Sequence, residues 1–192
     1  MINVALEEKV KLVEAVFEKL DAEIFKFQSA TSLHCKLGCG KCCFKPDIEA
    51  TPLEFLPFAL HLYKNNQAEE WLLRVKENDF SVCLILNPTQ SGTGLCSQYP
   101  HRGLICRLFG YSARTNKYGK RELITCPIIK GEQAVAFGIA EEKISKGMDV
   151  AVMNEFYMQL ASIDFEMARA FHPINSAIGK AIEEVLHYYA YR

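Results

Sequence analysis

Four thiols fall within nine residues, in Cys35-Lys-Leu-Gly-Cys39-Gly-Lys-Cys42-Cys43, with glycine threaded between them. A hydrophobic core has no need to gather its cysteines in one loop. Thiolates, by contrast, are the soft ligands that suit zinc and iron–sulfur centres. Gly38 and Gly40 permit the tight backbone turns that would aim neighbouring sulfurs at one point. The segment therefore reads as a metal or cluster site around which the rest of the chain must fold.

The other four cysteines, Cys83, Cys96, Cys106 and Cys126, keep all eight within one central block. An even count in a small secreted chain would suggest disulfides. Here the start, Met1-Ile-Asn-Val-Ala-Leu-Glu-Glu-Lys9, has acidic residues and helical periodicity rather than a basic region followed by an apolar one. At 192 residues and 49% hydrophobic content the chain can bury a core without staples. Reduced, metal-binding thiols in a cytoplasmic protein are the expectation.

Formal net charge is -1 with both signs scattered, which leaves no electrostatic footprint for nucleic acid or an acidic membrane. No apolar run approaches the roughly 18 residues that would span a bilayer. Repeats, low-complexity tracts and interdomain linkers are not visible, so one domain covering 1–192 is expected. Within it, residues 35–126 form a cysteine core, and residues 1–30 and 131–192 form helical flanks.

Periodicity supports that division. Val10, Val13, Phe17, Leu20, Ile24 and Phe27 recur at spacings of three and four, predicting a helix from Val4 to about Phe27. Thr51-Pro52-Leu53-Glu54 is a helix start with a capping box, leading to a helix that ends near Lys64. A short helix follows over about Glu69 to Lys76. Ser81-Val-Cys-Leu-Ile-Leu86 reads as a buried strand stopped at Asn87-Pro88. Phe109–Arg114 and Arg121–Thr125 read as a hairpin closed by a polar turn. Two apolar stripes close the chain, one from Val150 to Phe171 ended at His172-Pro173, the other from Ile178 to Tyr189. The fold class is mainly α with a small irregular β insert carrying the thiols.

Knuckle cysteines commonly share a centre with ligands distant in sequence. Cys96 and Cys106 are the natural distal pair, and Arg102 and Arg107 beside them could offset the negative charge of a thiolate centre. Cys39, Cys42 or Cys43, Cys96 and Cys106 form the leading ligand set, with Cys35 next. Cys126 joins if the hairpin folds back, and Cys83 is as well suited to core as to ligand. Cys42 and Cys43, being adjacent, are expected to point apart. His34, beside Cys35, could serve as a nitrogen ligand but reads better as a solvent-facing imidazole. No Walker loop, G-x-S-x-G elbow or H-E-x-x-H is present, so catalytic residues stay unassigned.

The ordered pattern resembles the cysteine-cluster (YkgJ-like) family of zinc- or iron-chelating domains. Cys35, Cys39, Cys42 and Cys43 match its knuckle, and Cys83 with Leu84 and Leu86 matches its middle element. Cys96 and Tyr99 match a C-x-x-Y element, and Arg102, Cys106, Arg107 and Phe109 match an R-P-x-x-C-R-x-F element. Gly103 departs from the proline usual there. The resemblance implies metal or iron–sulfur binding, and a related domain in flagellin lysine-N-methylases raises the alternative of a cluster-dependent protein-modifying enzyme. Cys35-x3-Cys39-x2-Cys42 also has the spacing of radical S-adenosylmethionine enzymes. Lys41 replaces the aromatic residue usual in that motif, and no repeating βα pattern follows.

The metal is left between a [4Fe-4S] cluster and zinc. Eight thiols exceed what one zinc needs, which tilts the expectation toward iron–sulfur. The expected partner is thus the metal ion or cluster, with any protein partner unknown.

Overall fold

Helix α1 (Leu6–Thr31) buries the predicted stripe of Val10, Val13, Phe17, Leu20, Ile24 and Phe27 and runs one turn past it. The added turn ends where the Thr31 hydroxyl donates to the Phe27 carbonyl (2.8 Å) and Ser32 adopts a left-handed conformation. The computed structural model describes residues 5–35, 40–77, 81–88 and 94–191. Among them the protein is mainly helical, and its strands form only three two-stranded antiparallel ladders.

After the first thiols comes strand β1 (Glu49–Ala50), which pairs with β6 (His172–Pro173) near the C-terminus. The capping box forms as expected, but it opens a 3-10 turn, Pro52–Phe55, before α2 (Leu56–Lys64) begins. Pro57 explains the interruption. It has no N–H to return to Leu53, so a continuous α-helical ladder cannot cross it, and it sits instead in the first turn of α2. Helix α3 (Ala68–Lys76) follows.

The strand expected over Ser81–Leu86 does not form there. Cys83 and Ile85 are buried, yet they sit in a turn in which the Leu86 N–H donates to the Cys83 carbonyl (3.1 Å). Asn175 replaces a neighbouring strand: its side chain accepts the Leu84 N–H (2.9 Å) and donates to the Val82 carbonyl (2.8 Å). Pairing starts only with β2 (Leu86–Pro88), which continues through Asn87-Pro88 and lies against β3 (Gly94–Cys96). Burial here comes from tertiary packing, and an apolar run alone could not separate buried turn from buried strand.

A five-residue helix, α4 (Leu104–Leu108), leads to the hairpin β4 (Ser112–Thr115) and β5 (Arg121–Ile124). Asn116 Oδ1 accepts the N–H groups of Tyr118 and Lys120, and Gly119 takes positive φ, so the polar turn closes as its sequence implies. Helices α5 (Pro127–Glu132) and α6 (Ala134–Ser145) come next.

The Val150–Phe171 stripe is not one helix. It breaks at Asp164 between α7 (Met153–Ile163) and α8 (Phe165–Ala168), because Asp164 has extended backbone. Its carboxylate accepts the Met167 N–H and pairs with Lys9 (2.6 Å). Helix α9 (Ile174–Ala190) buries Ile178, Ile182 and Val185 against α2 and α3.

Two apolar clusters result. The larger joins α1, α2, α4, α7 and α9 around Leu20, Phe55, Phe58, Leu104, Phe156 and Ile178. The smaller gathers Phe27, Leu33, Ala113, Ile129, Phe137 and Ile144 around the end of α1. Tyr111 packs against both.

Candidate metal centre

Gly40 takes a left-handed conformation and starts a 3-10 turn over Lys41–Phe44, closed by the Cys43 N–H donating to the Gly40 carbonyl (2.9 Å). This turn exposes Cys42 and half-buries Cys43. Their sulfurs do not point apart, as adjacency suggested, but approach to 3.9 Å. Two thiolates bound at ~2.3 Å to one tetrahedral ion lie ~3.8 Å from each other. The pair is therefore spaced as ligands of a single ion would be.

The turn packs against β3, which delivers Cys96. Cys96 pairs in register with Leu86, the residue that follows the Cys83–Ile85 turn. Cys106 comes from α4. Cys42 and Cys96 lie close enough for their charges to act on one another, as do Cys43 and Cys106, and Cys83 acts on Cys43, Cys96 and Cys106. Five thiols from four separate segments thus share one region.

Their protonation follows from burial. The contact with the Cys43 thiol, with backbone hydrogen bonds and Arg102, holds Cys42 down at about 6. The same contact and burial push Cys43 up, so the pair releases one proton readily and retains the second. Burial pushes Cys83 up to about 11 and also raises Cys96 and Cys106. A bound cation would reverse this, deprotonating each thiol it takes as ligand.

The two arginines separate. Arg102 lies 3.6 Å above the Tyr99 ring, donates to the Tyr99 carbonyl (3.2 Å), and bears electrostatically on Cys42, Cys96 and Cys106. Arg107 is buried and turned toward α1. Its guanidinium pairs with Asp21, stacks over Phe17 (4.7 Å), and donates to the carbonyls of Pro100 (2.7 Å) and Arg102 (3.1 Å). It ties the loop before Cys106 to the first helix. The same loop is braced by His101, stacked on His61 at 4.1 Å.

Cys35 and Cys126 make contacts of their own. The Cys35 N–H donates to the Tyr111 hydroxyl (2.6 Å), and the Gln133 amide grips both the N–H and the carbonyl of His34, whose side chain is exposed. The Cys126 sulfur accepts the Ile129 N–H (3.3 Å), capping α5, and packs against the smaller apolar cluster. Cys39 lies outside the described residues. Among the described residues, no three Cys, His, Asp or Glu side chains close on one point as a metal ion would require. The donor set nevertheless fits a soft metal by chemistry, with one sulfur pair already at ligand spacing.

Glu54 was legible only as half of a capping box. In the fold its carboxylate is fully buried and also accepts the Ile105 N–H of α4 (2.8 Å). Burial pushes its pKa from 4.5 up to about 7, against the pull of the N–H groups of Ile105, Thr51 and Leu104. A carboxyl whose folded pKa is raised contributes stability that is full below its unfolded value and lost as pH climbs through the folded one. The unfolding free energy of wild type relative to Glu54→Gln is accordingly expected to fall by about 3 kcal/mol between pH 4 and pH 8. Urea titrations of the metal-free protein at the two pH values check this. A pH-independent difference would show that folding leaves the Glu54 pKa unshifted, and a difference that rises with pH would show that the donors hold it ionised.

Tyr157 completes the surroundings. Its hydroxyl is buried and has no hydrogen-bond partner among the described residues, and it lies within electrostatic reach of Glu54 and Cys106. No sequence signal marked it, since it falls on an ordinary helical stripe.

Residues 34–127 match the family model CxxCxxCC, described as a putative zinc- or iron-chelating domain. The matched segment contains all eight cysteines. No curated protein and no solved structure matches the chain. Among the described residues, no helix is long and apolar enough to cross a membrane.

Proposed function

We propose that the protein binds a metal through Cys42, Cys43, Cys96 and Cys106, with Cys83 behind them and Cys39 as a further ligand from the same knuckle. The observation that carries this reading is the 3.9 Å approach of the Cys42 and Cys43 sulfurs. Such a pair suits one zinc or one iron better than the separate irons of a [4Fe-4S] cluster, each of which takes one diverging thiolate. Arg102, beside three of the thiols, offsets the charge that accumulates when they ionise. The bound ion supplies a closed structural centre or, if a position stays open, a Lewis acid or redox group.

The number of thiols favours a second reading, an iron–sulfur cluster with a redox or accessory role or within a protein-modifying enzyme. The test is protein purified anaerobically, analysed for metal and acid-labile sulfide, then reconstituted with iron and sulfide. One tightly held zinc or iron without sulfide, lost in Cys42→Ser/Cys43→Ser, is the expected result. Uptake of sulfide with a broad visible absorbance that bleaches on reduction would establish the cluster instead. Protein that retains no metal under either condition would refute both readings.

A further inference from the structure

We propose that Glu54 is a positioning residue for Cys106, holding the short helix that carries this thiol at the register the centre needs. The role rests on reading Cys106 as a metal ligand. Helix α4 has glycine at its N-cap, so no side chain of its own can receive its leading N–H groups. Glu54 supplies the missing acceptor from the segment just before α2. One carboxylate oxygen takes the Thr51 N–H (2.7 Å) and hydroxyl (3.1 Å), and the other takes the Ile105 N–H (2.8 Å). One buried carboxylate therefore joins two turns, and Cys106 follows Ile105 directly.

Gly103 shows how closely this bridge is fitted. A Cβ there would lie 2.9 Å from Glu54 Oε2 and 2.8 Å from Phe55 Cζ. The backbone at 103 has ordinary negative φ, so space rather than conformation calls for glycine. The glycine that replaces the proline expected of the family thus lets the carboxylate reach the helix. Arg107 holds the same helix from the side of α1, through Asp21 and Phe17. Glu54 fixes its start and Arg107 its flank, leaving Cys106 little freedom to turn away from the other thiols. Geometry, rather than charge alone, is what Glu54 contributes.

Two measurements on the full chain test this. In metal-free wild type, the Ile105 amide should exchange as slowly as the amides of α2. Free exchange there would overturn the proposal without any variant. Glu54→Asp keeps the charge but shortens the reach by about 1.5 Å. It should raise iodoacetamide labelling of Cys106 by more than about tenfold while labelling of Cys83 stays put, because a buried N–H that loses its acceptor opens locally. In Co(II) titrations the same variant should lose one thiolate's share of the charge-transfer absorbance. A folded Glu54→Asp protein with wild-type Cys106 labelling and wild-type cobalt spectrum would overturn the proposal. If that variant does not fold, Gly103→Ala, which crowds the same carboxylate from the helix side, takes its place under the same criteria. Wild type that binds Co(II) without thiolate absorbance would instead defeat the metal reading, and Cys106 labelling would still judge Glu54.

Discussion

Stripping the metal from anaerobically purified protein is expected to release residues 41–48 and 94–101 from hydrogen-exchange protection while α1, α4 and α9 retain most of theirs. These segments have little regular structure to hold them: a four-residue 3-10 turn, a strand of three residues and a three-residue 3-10 turn. Their mutual approach also places half-buried thiols together, which favours neutral sulfurs that have nothing to bind. A cation converts those thiols to ligands, so its binding energy becomes folding energy for this region, of the order of 10 kcal/mol for a structural zinc site. Helices α1 and α9 instead bury continuous apolar stripes in the larger cluster. Exchange read amide by amide before and after chelation separates the two behaviours. Unchanged protection of residues 41–48 and 94–101 after verified metal removal would show that packing alone holds them.

Replacing Arg107 with methionine is expected to cost about 3 kcal/mol of stability, although the apolar stem is largely preserved. The loss comes mainly from the two carbonyls, of Pro100 and Arg102, that the buried guanidinium serves. The pairing with Asp21 contributes less, since that carboxylate is 47% exposed and partly solvated. Asp21→Ala should therefore cost only about 1 kcal/mol. Because the loop held by Arg107 also carries Arg102, the methionine variant should weaken metal binding as well. Denaturant titrations of both variants, with and without metal, check the order. Equal costs for the two substitutions would show the ion pair, rather than the carbonyls, to be the main contribution.

Much of the helical frame was readable from periodicity because each helix buries one face. The stripe of α1, the capping box at Thr51–Glu54 and the hairpin turn at Asn116–Lys120 all report local energetics that neighbouring residues settle among themselves. Misreadings arose where a distant group intervened. Asn175, 91 residues along the chain from Leu84, satisfies the backbone of an apolar run that looked like a strand. Asp164 breaks a continuous stripe because its carboxylate serves Met167 and Lys9.

For the candidate centre, residue types and spacing were enough to single out the thiols, since cysteines clustered with glycine are a chemical signature independent of conformation. Cys42, Cys43, Cys96 and Cys106 carried that signal in the sequence itself. Which sulfurs lie near one another, and which arginine faces them, depended on packing. Arg102 and Arg107 differ little as sequence, yet one lies beside the thiols and the other is enclosed against Phe17. Glu54 shows the same division. Its capping of Thr51 is a three-residue relation that any reader of sequence can see. Its grip on Ile105 exists only because the fold brings α4 against the segment before α2, with a glycine where a side chain would have kept them apart.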